Sequence, residues 1–351
     1  MTDILTRLLA AKPYLVADGA MGTNLFQRGL ATGDSPELWN LEHPDRVASV
    51  HRDFVEAGSD IILTNSFGGS RHRLKLHGAD ARARELNRAA ARIAREVADA
   101  AGREVLVAGS IGPTGELFEP LGLLTMDDAI DSFAEQAAGL AEGGADLLWI
   151  ETMSAEAEVS AALQGAGRTG LPLVCTMTFD TNERSMMGVT PADFVRFCTS
   201  TTPRPAAFGA NCGVGPAELL HSILGLTEEG LAPFRPGDKP EGGPVIIAKG
   251  NCGIPQYQDG RIVYDGTPEL MAAYARLARA AGARIIGGCC GSTAEHVRAI
   301  VAALKDFNPA TRPDLAAVAD KLGTPWTRLA PAKTEPESPT GERGGRRRRR
   351  G

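Results

Sequence analysis

The chain of 351 residues is 43% hydrophobic and 23% charged, which is enough apolar material for one large or two ordinary domains with a buried core. Its formal net charge of −6 argues against nucleic-acid binding as the main function. No segment approaches the run of about 18 apolar residues that a membrane span needs, and residues 1–20 lack the apolar stretch of a secretory signal. We therefore expect a cytoplasmic protein whose six cysteines stay reduced.

Short apolar runs rich in β-branched residues alternate with longer helical patterns. In chain order, the eight predicted strands are residues 14–18, 60–65, 105–110, 146–151, 173–179, 206–212, 244–249 and 284–290. The helices predicted around them are residues 44–57, 80–101, 125–142, 155–165, 191–199, 216–224, 268–281 and 293–304. Because the strands are nearly continuous apolar runs, they indicate a parallel sheet covered by helices. Eight such units predict a (β/α)₈ barrel, with a doubly wound open sheet as the alternative.

The domain organisation follows from a change in composition near the end of the chain. We expect the barrel to occupy residues 1–310, with an extension over residues 311–330. Residues 331–351 hold seven basic and three acidic side chains among Pro, Gly, Ser and Thr, which is typical of a disordered tail. The run of five arginines at 346–350 has two interpretations, a solvated tail or a contact with RNA or an acidic partner.

The chemistry of such a barrel lies at the carboxyl ends of its strands. Polar and thiol residues gather at all eight predicted ends: Asp18-Gly19, Thr64-Asn65-Ser66, Ser110, Glu151-Thr152, Thr178, Asn211-Cys212, Lys249-Gly250-Asn251-Cys252 and Cys289-Cys290. Each of these residues alone has an ordinary explanation as a cap or a turn residue. Together they predict a ring of functional groups at one end of the barrel.

The segment Gly287-Gly288-Cys289-Cys290-Gly291 is the strongest local signal. Adjacent residues of a regular strand point to opposite faces, but the flanking glycines permit a turn that brings both sulfurs together. Cys212 also ends a predicted strand and also precedes a glycine. Three thiolates would suit Zn²⁺ and leave its fourth position for substrate. The alternative is that Cys289 and Cys290 are small core residues.

These motifs together resemble the homocysteine S-methyltransferase family. The resemblance runs in order from about residue 13 to residue 304, and it rests on five segments: DGAMGT at 18–23, ILTNSFG at 62–68, SIGP at 110–113, NC at 211–212 and GGCCG at 287–291. It implies a zinc-bearing barrel with one Zn²⁺ per chain. The implied zinc ligands are Cys212, Cys289 and Cys290.

The same resemblance implies how L-homocysteine binds. Asp18 and Glu151 should hold its amino group, and amides around Gly19 and Ser66-Phe67 should lie near its carboxylate. Asn251 is expected to occupy the open zinc position when substrate is absent. The implied reaction is direct methyl transfer to a zinc-bound homocysteine thiolate, which forms methionine. The cysteines act in this reaction as ligands and not as nucleophiles.

The methyl donor in this family is betaine, S-methylmethionine or adenosylmethionine, or methylcobalamin. Betaine carries a quaternary ammonium group, which favours an aromatic cage. The two places where the betaine-using branch has Tyr hold Gly68 and Thr152, although a loop aromatic such as Phe118 could serve. Trp149 lies within a predicted strand and is expected in the core.

The local sequences are more similar to the homocysteine module of cobalamin-dependent methionine synthase, but the chain has no length left for a corrinoid domain. We therefore expect methylcobalamin on a separate corrinoid protein as the donor, which could dock on the basic segment 71–75 unless that segment is only a solvated helix start. Betaine is the main alternative donor, and S-methylmethionine is the third. A hypothesis of another class is a non-catalytic accessory subunit that binds zinc or homocysteine.

The remaining cysteines have separate interpretations. Cys175 lies mid-strand and Cys198 lies late in a helix, so both are expected to be packing residues. Cys252 stands where the methionine-synthase-like pattern has Ala. It is either a small packed residue or an exposed thiol at the barrel mouth that is open to zinc or to oxidation.

Overall fold

The computed structural model describes residues 3–180, 182–228, 244–258 and 261–324. Its main sheet has eight parallel strands: β1 (Leu15–Val16), β2 (Ile61–Leu63), β3 (Leu106–Ile111), β4 (Leu147–Met153), β5 (Leu173–Met177), β6 (Ala207–Cys212), β7 (Val245–Gly250) and β10 (Ala283–Gly288). A separate antiparallel hairpin is formed by β8 (Pro255–Gln258) and β9 (Arg261–Tyr264).

The eight strands close on themselves. Their order is β1-β10-β7-β6-β5-β4-β3-β2. A bridge between Ala17 and Ile61 then joins the β1 end of this sheet to the β2 end. The strands therefore form a nearly closed parallel barrel, which confirms the predicted (β/α)₈ architecture and excludes the open sheet.

Helices surround the barrel and follow most of its strands. In chain order they are α1 (Ile4–Ala11), α2 (Met21–Gln27), α3 (Trp39–Glu42), α4 (Pro44–Ala57), α5 (Arg71–Leu74), α6 (Ala83–Asp99), α7 (Met126–Glu142), α8 (Glu156–Gly167), α9 (Pro191–Ser200), α10 (Pro216–Leu226), α11 (Pro268–Ala280), α12 (Ala294–Leu304) and α13 (Leu315–Leu322). No helix in the described ranges is long and apolar enough to cross a membrane.

Capping residues explain where several helices begin. Thr190 and Asp193 form a reciprocal capping box at the start of α9, where Pro191 occupies a first-turn position that needs no N–H donor. Thr125 accepts a hydrogen bond from the Asp128 N–H at the start of α7. These short-range signals are visible in the sequence, so the predicted starts of these two helices agree with the structure to within one residue.

Two apolar layers hold the barrel together. The side chains inside it are Leu15, Ala17, Ile61, Leu63, Leu106, Ala108, Leu147, Trp149, Val174, Ala207, Ile247 and Ile285. A second layer lies between the strands and the outer helices and includes Phe54, Phe133 and Phe208. Trp149 is fully buried in the inner layer and donates a hydrogen bond to Thr176, so the core interpretation of this residue is confirmed.

Helix α1 closes the amino end of the barrel and was not predicted. Its apolar residues Leu5, Leu8 and Leu9 pack with the inner layer. The buried guanidinium of Arg284, on β10, donates hydrogen bonds to the carbonyls of Leu9 and Lys12 at the end of α1. The amino end is therefore plugged, which leaves the carboxyl end of the barrel for a site.

The chain beyond the barrel is described only in part. Within the predicted extension, α13 packs against α10 and α11 through the fully buried Val318. The predicted tail over residues 331–351 lies outside the described residues. The division of the chain at residue 310 stays a prediction.

Candidate metal and substrate site

Three cysteine sulfurs meet at the carboxyl end of the barrel. Cys212 is the last residue of β6, and Cys289 and Cys290 follow β10. The three Sγ atoms lie within 4.8 Å of one another, and those of Cys212 and Cys290 are 4.0 Å apart. The structure thus brings together the three thiols that the sequence singled out.

Unusual backbone geometry makes this convergence possible. Cys212 has φ 65°, in the left-handed region that residues with a side chain rarely adopt, and Gly213 follows with φ 77°. Gly291 has φ 80°, and a Cβ there would overlap the ring of Tyr264. Only glycine therefore fits the turn after Cys290 without a shift of its neighbours.

Two asparagines fix the turns that carry the thiols. The Asn251 side chain accepts a hydrogen bond from the Cys290 N–H at 3.0 Å and donates one to the Gly213 carbonyl, so it ties the two cysteine-bearing turns together. Asn211 forms a reciprocal pair with Thr152, accepting from its N–H at 2.8 Å and donating to its hydroxyl at 2.7 Å. The expectation that Asn251 occupies the open zinc position stays a prediction.

The three thiols share their protons unequally. Hydrogen bonds from Cys212 and Cys289 lower the pKa of Cys290 to about 3. Hydrogen bonds to Cys289 and Cys290 raise the pKa of Cys212 well above its usual value. Three neighbouring thiols whose mutual hydrogen bonds favour a thiolate are a suitable donor set for a thiophilic cation.

Asp18 is fully buried beside this cluster, and both of its oxygens have partners. The Leu63 N–H donates to Oδ2 at 2.7 Å, and the Lys249 ammonium donates to Oδ1 at 2.8 Å. Burial raises the pKa of Asp18, and the charge of Lys249 opposes this shift. Asp18 is therefore held in one orientation by two strands, β2 and β7.

Glu151, on β4, is the second buried carboxylate of the site. Its Oε1 accepts a hydrogen bond from the Ser110 hydroxyl at 2.5 Å. Burial raises the pKa of Glu151 to about 7, although Lys249 and Ser110 oppose the shift. A cationic partner would stabilise the charged form of this carboxylate, so Glu151 is suited to bind one.

The backbone N–H groups that are expected near the substrate carboxylate differ in whether they already have an intramolecular acceptor. Among the described residues, the N–H groups of Gly19 and Phe67 donate no hydrogen bond, whereas the Ser66 N–H donates to the Thr64 carbonyl at 2.9 Å. Gly19 is buried, so an unpaired N–H there is costly unless a ligand satisfies it. Of the amides predicted to lie near the substrate carboxylate, that of Ser66 is thus already engaged, and the role of the other two stays a prediction.

Cys252 is buried next to the site and is not an exposed thiol. Its Sγ lies 2.9 Å from the Gly266 carbonyl oxygen and 3.0 Å from His296 Nε2. Burial raises the pKa of Cys252 to about 11. The interpretation of Cys252 as a small packed residue is therefore favoured over that of a reactive mouth thiol.

Cys175 and Cys198 are both fully buried, and their sulfurs are 3.6 Å apart. The expectation that both are packing residues is confirmed.

Sequence reasoning missed the partnerships of two site residues. From the sequence, Lys249 is only one of the polar residues at a strand end. Because it stands two residues after Ile247, both side chains point into the barrel, and this spacing was a usable signal of a buried charge. Tyr264 comes from the hairpin of β8 and β9, which was not predicted, and its ring packs over Gly291. No local pattern in the sequence marks Tyr264 as a neighbour of Cys290.

The fold and these side chains define a barrel protein with a thiol-rich site at its mouth. A family model described as homocysteine S-methyltransferase matches residues 15–304, from β1 to α12. The chain therefore belongs to the homocysteine S-methyltransferase family.

Relatives and solved structures agree with this family. The chain is 31% identical to methionine synthase from Mycobacterium tuberculosis over 323 residues and 31% identical to methionine synthase from Mycobacterium leprae over 329 residues. These alignments cover 87% and 89% of the chain but only 26% of each relative. The crystal structure of the homocysteine methyltransferase MmuM from Escherichia coli in its metallated form is similar, with a TM-score of 0.69 and 25% identity over 85% of this chain and 99% of that one.

Proposed function

We propose that the protein is a zinc-dependent homocysteine S-methyltransferase that forms methionine. The observation that carries this proposal is the gathering of three cysteine sulfurs within 4.8 Å of one another, beside two buried carboxylates at one barrel mouth. Sulfur ligands suit the metal, and carboxylates suit the amino end of an amino-acid substrate. The cytoplasmic setting, in which the cysteines would stay reduced, belongs to the same proposal.

The three sulfurs fit a tetrahedral zinc ion. With zinc–sulfur bonds of about 2.3 Å, two ligands of a tetrahedron lie about 3.8 Å apart. The Cys212 and Cys290 sulfurs are 4.0 Å apart and all three sulfurs lie within 4.8 Å of one another, so the sulfurs need to approach by at most about 1 Å. Three protein ligands leave one position open, which is typical of a catalytic zinc site. The similar Escherichia coli enzyme has a structure in a metallated form, which supports the same assignment here.

The residues of the chain would bind both ends of homocysteine. Bound zinc would supply a positive charge that lowers the pKa of the substrate thiol from about 8.5, so that the thiol loses its proton near neutral pH. Asp18 and Glu151 take the ammonium group, while the N–H groups of Gly19 and Phe67 take the carboxylate. Fixing both ends aims the substrate sulfur and lowers the entropic cost of the reaction.

The methyl transfer itself is a direct displacement. The substrate sulfur attacks the methyl carbon of the donor, and the bond between that carbon and the donor breaks with its electron pair left on the donor. No cysteine of the chain forms a bond to the methyl group. The cysteines therefore need to remain thiolates throughout the reaction.

We propose methylcobalamin on a separate corrinoid protein as the methyl donor. Support comes from the 31% identity to two methionine synthases and from an apolar rim around the mouth. This mouth rim consists of Phe67, Leu117, Leu121, Leu123, Met186 and Ile254, whose exposed fractions range from 38% to 93%. All six lie in the loops that follow β2, β3, β5 and β7, and exposed apolar side chains on the loops of one face are typical of a protein-binding surface.

The basic segment 71–75 is a weaker candidate for the docking surface. Arg71 forms an ion pair with Glu135, and His72 lies 3.2 Å from Asp128, both on α7. Two of its basic side chains are therefore already engaged within the chain.

Betaine fits the described surroundings less well. A Cβ at Gly68 would lie 2.9 Å from the Glu37 carboxylate, so an aromatic ring there would require the Glu37 side chain to move. Trp149 is fully buried, and Phe118 packs against the core between strands and helices. These three places thus offer a quaternary ammonium group no exposed aromatic ring, so a cage would depend on Phe67 and Tyr264 instead.

The test supplies homocysteine with one donor at a time and measures methionine by mass spectrometry. The donors are a methylated corrinoid protein, betaine, S-methylmethionine and adenosylmethionine. We expect methionine with the corrinoid protein and no turnover with betaine alone. Turnover with betaine alone would overturn the donor assignment, and no methionine with any donor from zinc-loaded protein would overturn the proposed function.

A further inference from the structure

Lys249 forms the floor of the candidate site. It is 2% exposed and lies on β7, two residues after the interior Ile247. Its Nζ lies 5.7 Å from the centre of the Trp149 ring, at the top of the apolar layer inside the barrel. A lysine buried to this degree needs a charged partner, and Asp18 is that partner, with its Oδ1 2.8 Å from Nζ.

The two carboxylates of the site are therefore not equivalent. Asp18 receives a charged donor, Lys249, and a backbone donor, Leu63. Among the described residues, Glu151 receives a hydrogen bond only from the neutral hydroxyl of Ser110. The two carboxylates thus share one ammonium group, and Asp18 is the one that contacts it, so the site keeps a net negative charge that suits a cation from outside.

We propose that Lys249 is a positioning residue for the substrate, because its ammonium group keeps Asp18 ionised and oriented while Glu151 receives the charge of the homocysteine ammonium group. This inference rests on the proposed function. Without Lys249, Asp18 is a buried carboxylate with no cationic partner, and such a group takes up a proton instead of remaining charged. A protonated Asp18 no longer attracts an ammonium group.

Removing the Lys249 charge should therefore weaken homocysteine binding as much as removing the Asp18 charge does. The substitution Lys249→Met should weaken homocysteine binding by about tenfold or more, as expected when one charge-assisted contact is lost. The value of kcat at saturating homocysteine should change by less than about twofold, because the reacting sulfur lies at the opposite end of the substrate. Asp18→Asn should give a similar loss, and the double variant should be no worse than either single variant.

The experiment measures homocysteine binding to the zinc-loaded protein by calorimetry and methyl transfer by steady-state kinetics. The second substrate is 4-mercaptobutanoate, which is homocysteine without its amino group. Lys249→Met should leave kcat/KM for this thiol nearly unchanged, because it has no ammonium group to lose. A merely structural effect of the substitution would lower the activity with both thiols.

The chain offers a matched control at the opposite end of the barrel. Lys12 pairs with Asp60 at 2.6 Å, and Asp60 also accepts a backbone hydrogen bond from Val16, so this pair has the same hydrogen-bond pattern as Lys249 and Asp18 with a more exposed lysine. Lys12→Met should leave homocysteine binding unchanged. Lys249→Gln, which keeps a donor but no charge, should behave like Lys249→Met and carries the test if the methionine variant does not fold.

Two outcomes would overturn the inference. One is unchanged or tighter homocysteine binding in Lys249→Met or Lys249→Gln. The other is an equal loss of activity with homocysteine and with 4-mercaptobutanoate. Both are distinct from failure of the proposed function, in which the unsubstituted protein itself would form no methionine.

Discussion

The substitution Glu151→Gln tests whether this buried carboxylate is kept for substrate binding at the expense of stability. Glu151 is 8% exposed, and burial raises its pKa from the usual 4.5 to about 7. The folded protein thus binds this proton more tightly than the unfolded chain does. The stabilisation is fully present below pH 4.5 and is lost as the pH rises through 7. A shift of this size corresponds to about 3 kcal/mol.

Glutamine is neutral at every pH and keeps an oxygen that can accept the hydrogen bond from Ser110. We therefore expect Glu151→Gln to be more stable than the unsubstituted protein at pH 8 by up to about 3 kcal/mol, with a gap below about 1 kcal/mol at pH 5. The assay is urea unfolding of the metal-free, reduced protein at several pH values. Homocysteine binding should fall by about tenfold or more in the same variant, because the charged acceptor is gone.

Glu158 provides the control for this experiment. It is also buried, but it accepts hydrogen bonds from both the N–H and the hydroxyl of Thr114. Glu158→Gln weakens these bonds and should not stabilise the protein at pH 8. The reasoning about Glu151 is refuted if Glu151→Gln is no more stable than the unsubstituted protein at pH 8, or if the gap does not change with pH.

Three further substitutions test the metal site, its backbone and the mouth rim. Cys290→Ala should reduce bound zinc, measured by elemental analysis, to a small fraction of one ion per chain, while Cys252→Ala should keep it; equal zinc in both would contradict the ligand assignment. Gly291→Ala should lower the melting temperature more than Gly78→Ala does, because both glycines have positive φ but a Cβ at Gly291 would overlap Tyr264. Equal decreases in melting temperature would contradict this steric argument. Leu123 on the mouth rim is 93% exposed, so Leu123→Asp should slow methyl transfer from a corrinoid protein severalfold at subsaturating donor and leave zinc binding intact. An unchanged rate would contradict the proposal that the mouth rim binds the corrinoid protein.

The outline of the fold and most of the candidate site could be predicted because both depend on local signals. Parallel strands buried on both faces are near-continuous apolar runs, and all their carboxyl ends meet at one mouth. Residues as far apart in the chain as Asp18 and Cys290 could therefore be placed in one site without knowledge of their contacts. The structure brings Asp18, Glu151 and the three thiols to that mouth.

Other features depend on long-range geometry that no local pattern encodes. The pairing of Lys249 with Asp18 joins residues 231 positions apart and requires the register of two strands that are separated by β10. The role of α1 as a plug depends on the shape of the closed barrel, although its Leu5, Leu8 and Leu9 have helical spacing. The left-handed conformations of Thr152 and Cys212 are likewise imposed by tertiary contacts, since neither residue type favours them.

The central claim is that three cysteines hold zinc with one position open for the sulfur of homocysteine. X-ray absorption at the zinc edge tests it most directly, on zinc-loaded protein with and without homocysteine. The account predicts three sulfur neighbours at about 2.3 Å without homocysteine and four with it. A protein that binds no zinc, or a sulfur count that homocysteine does not change, would contradict the account.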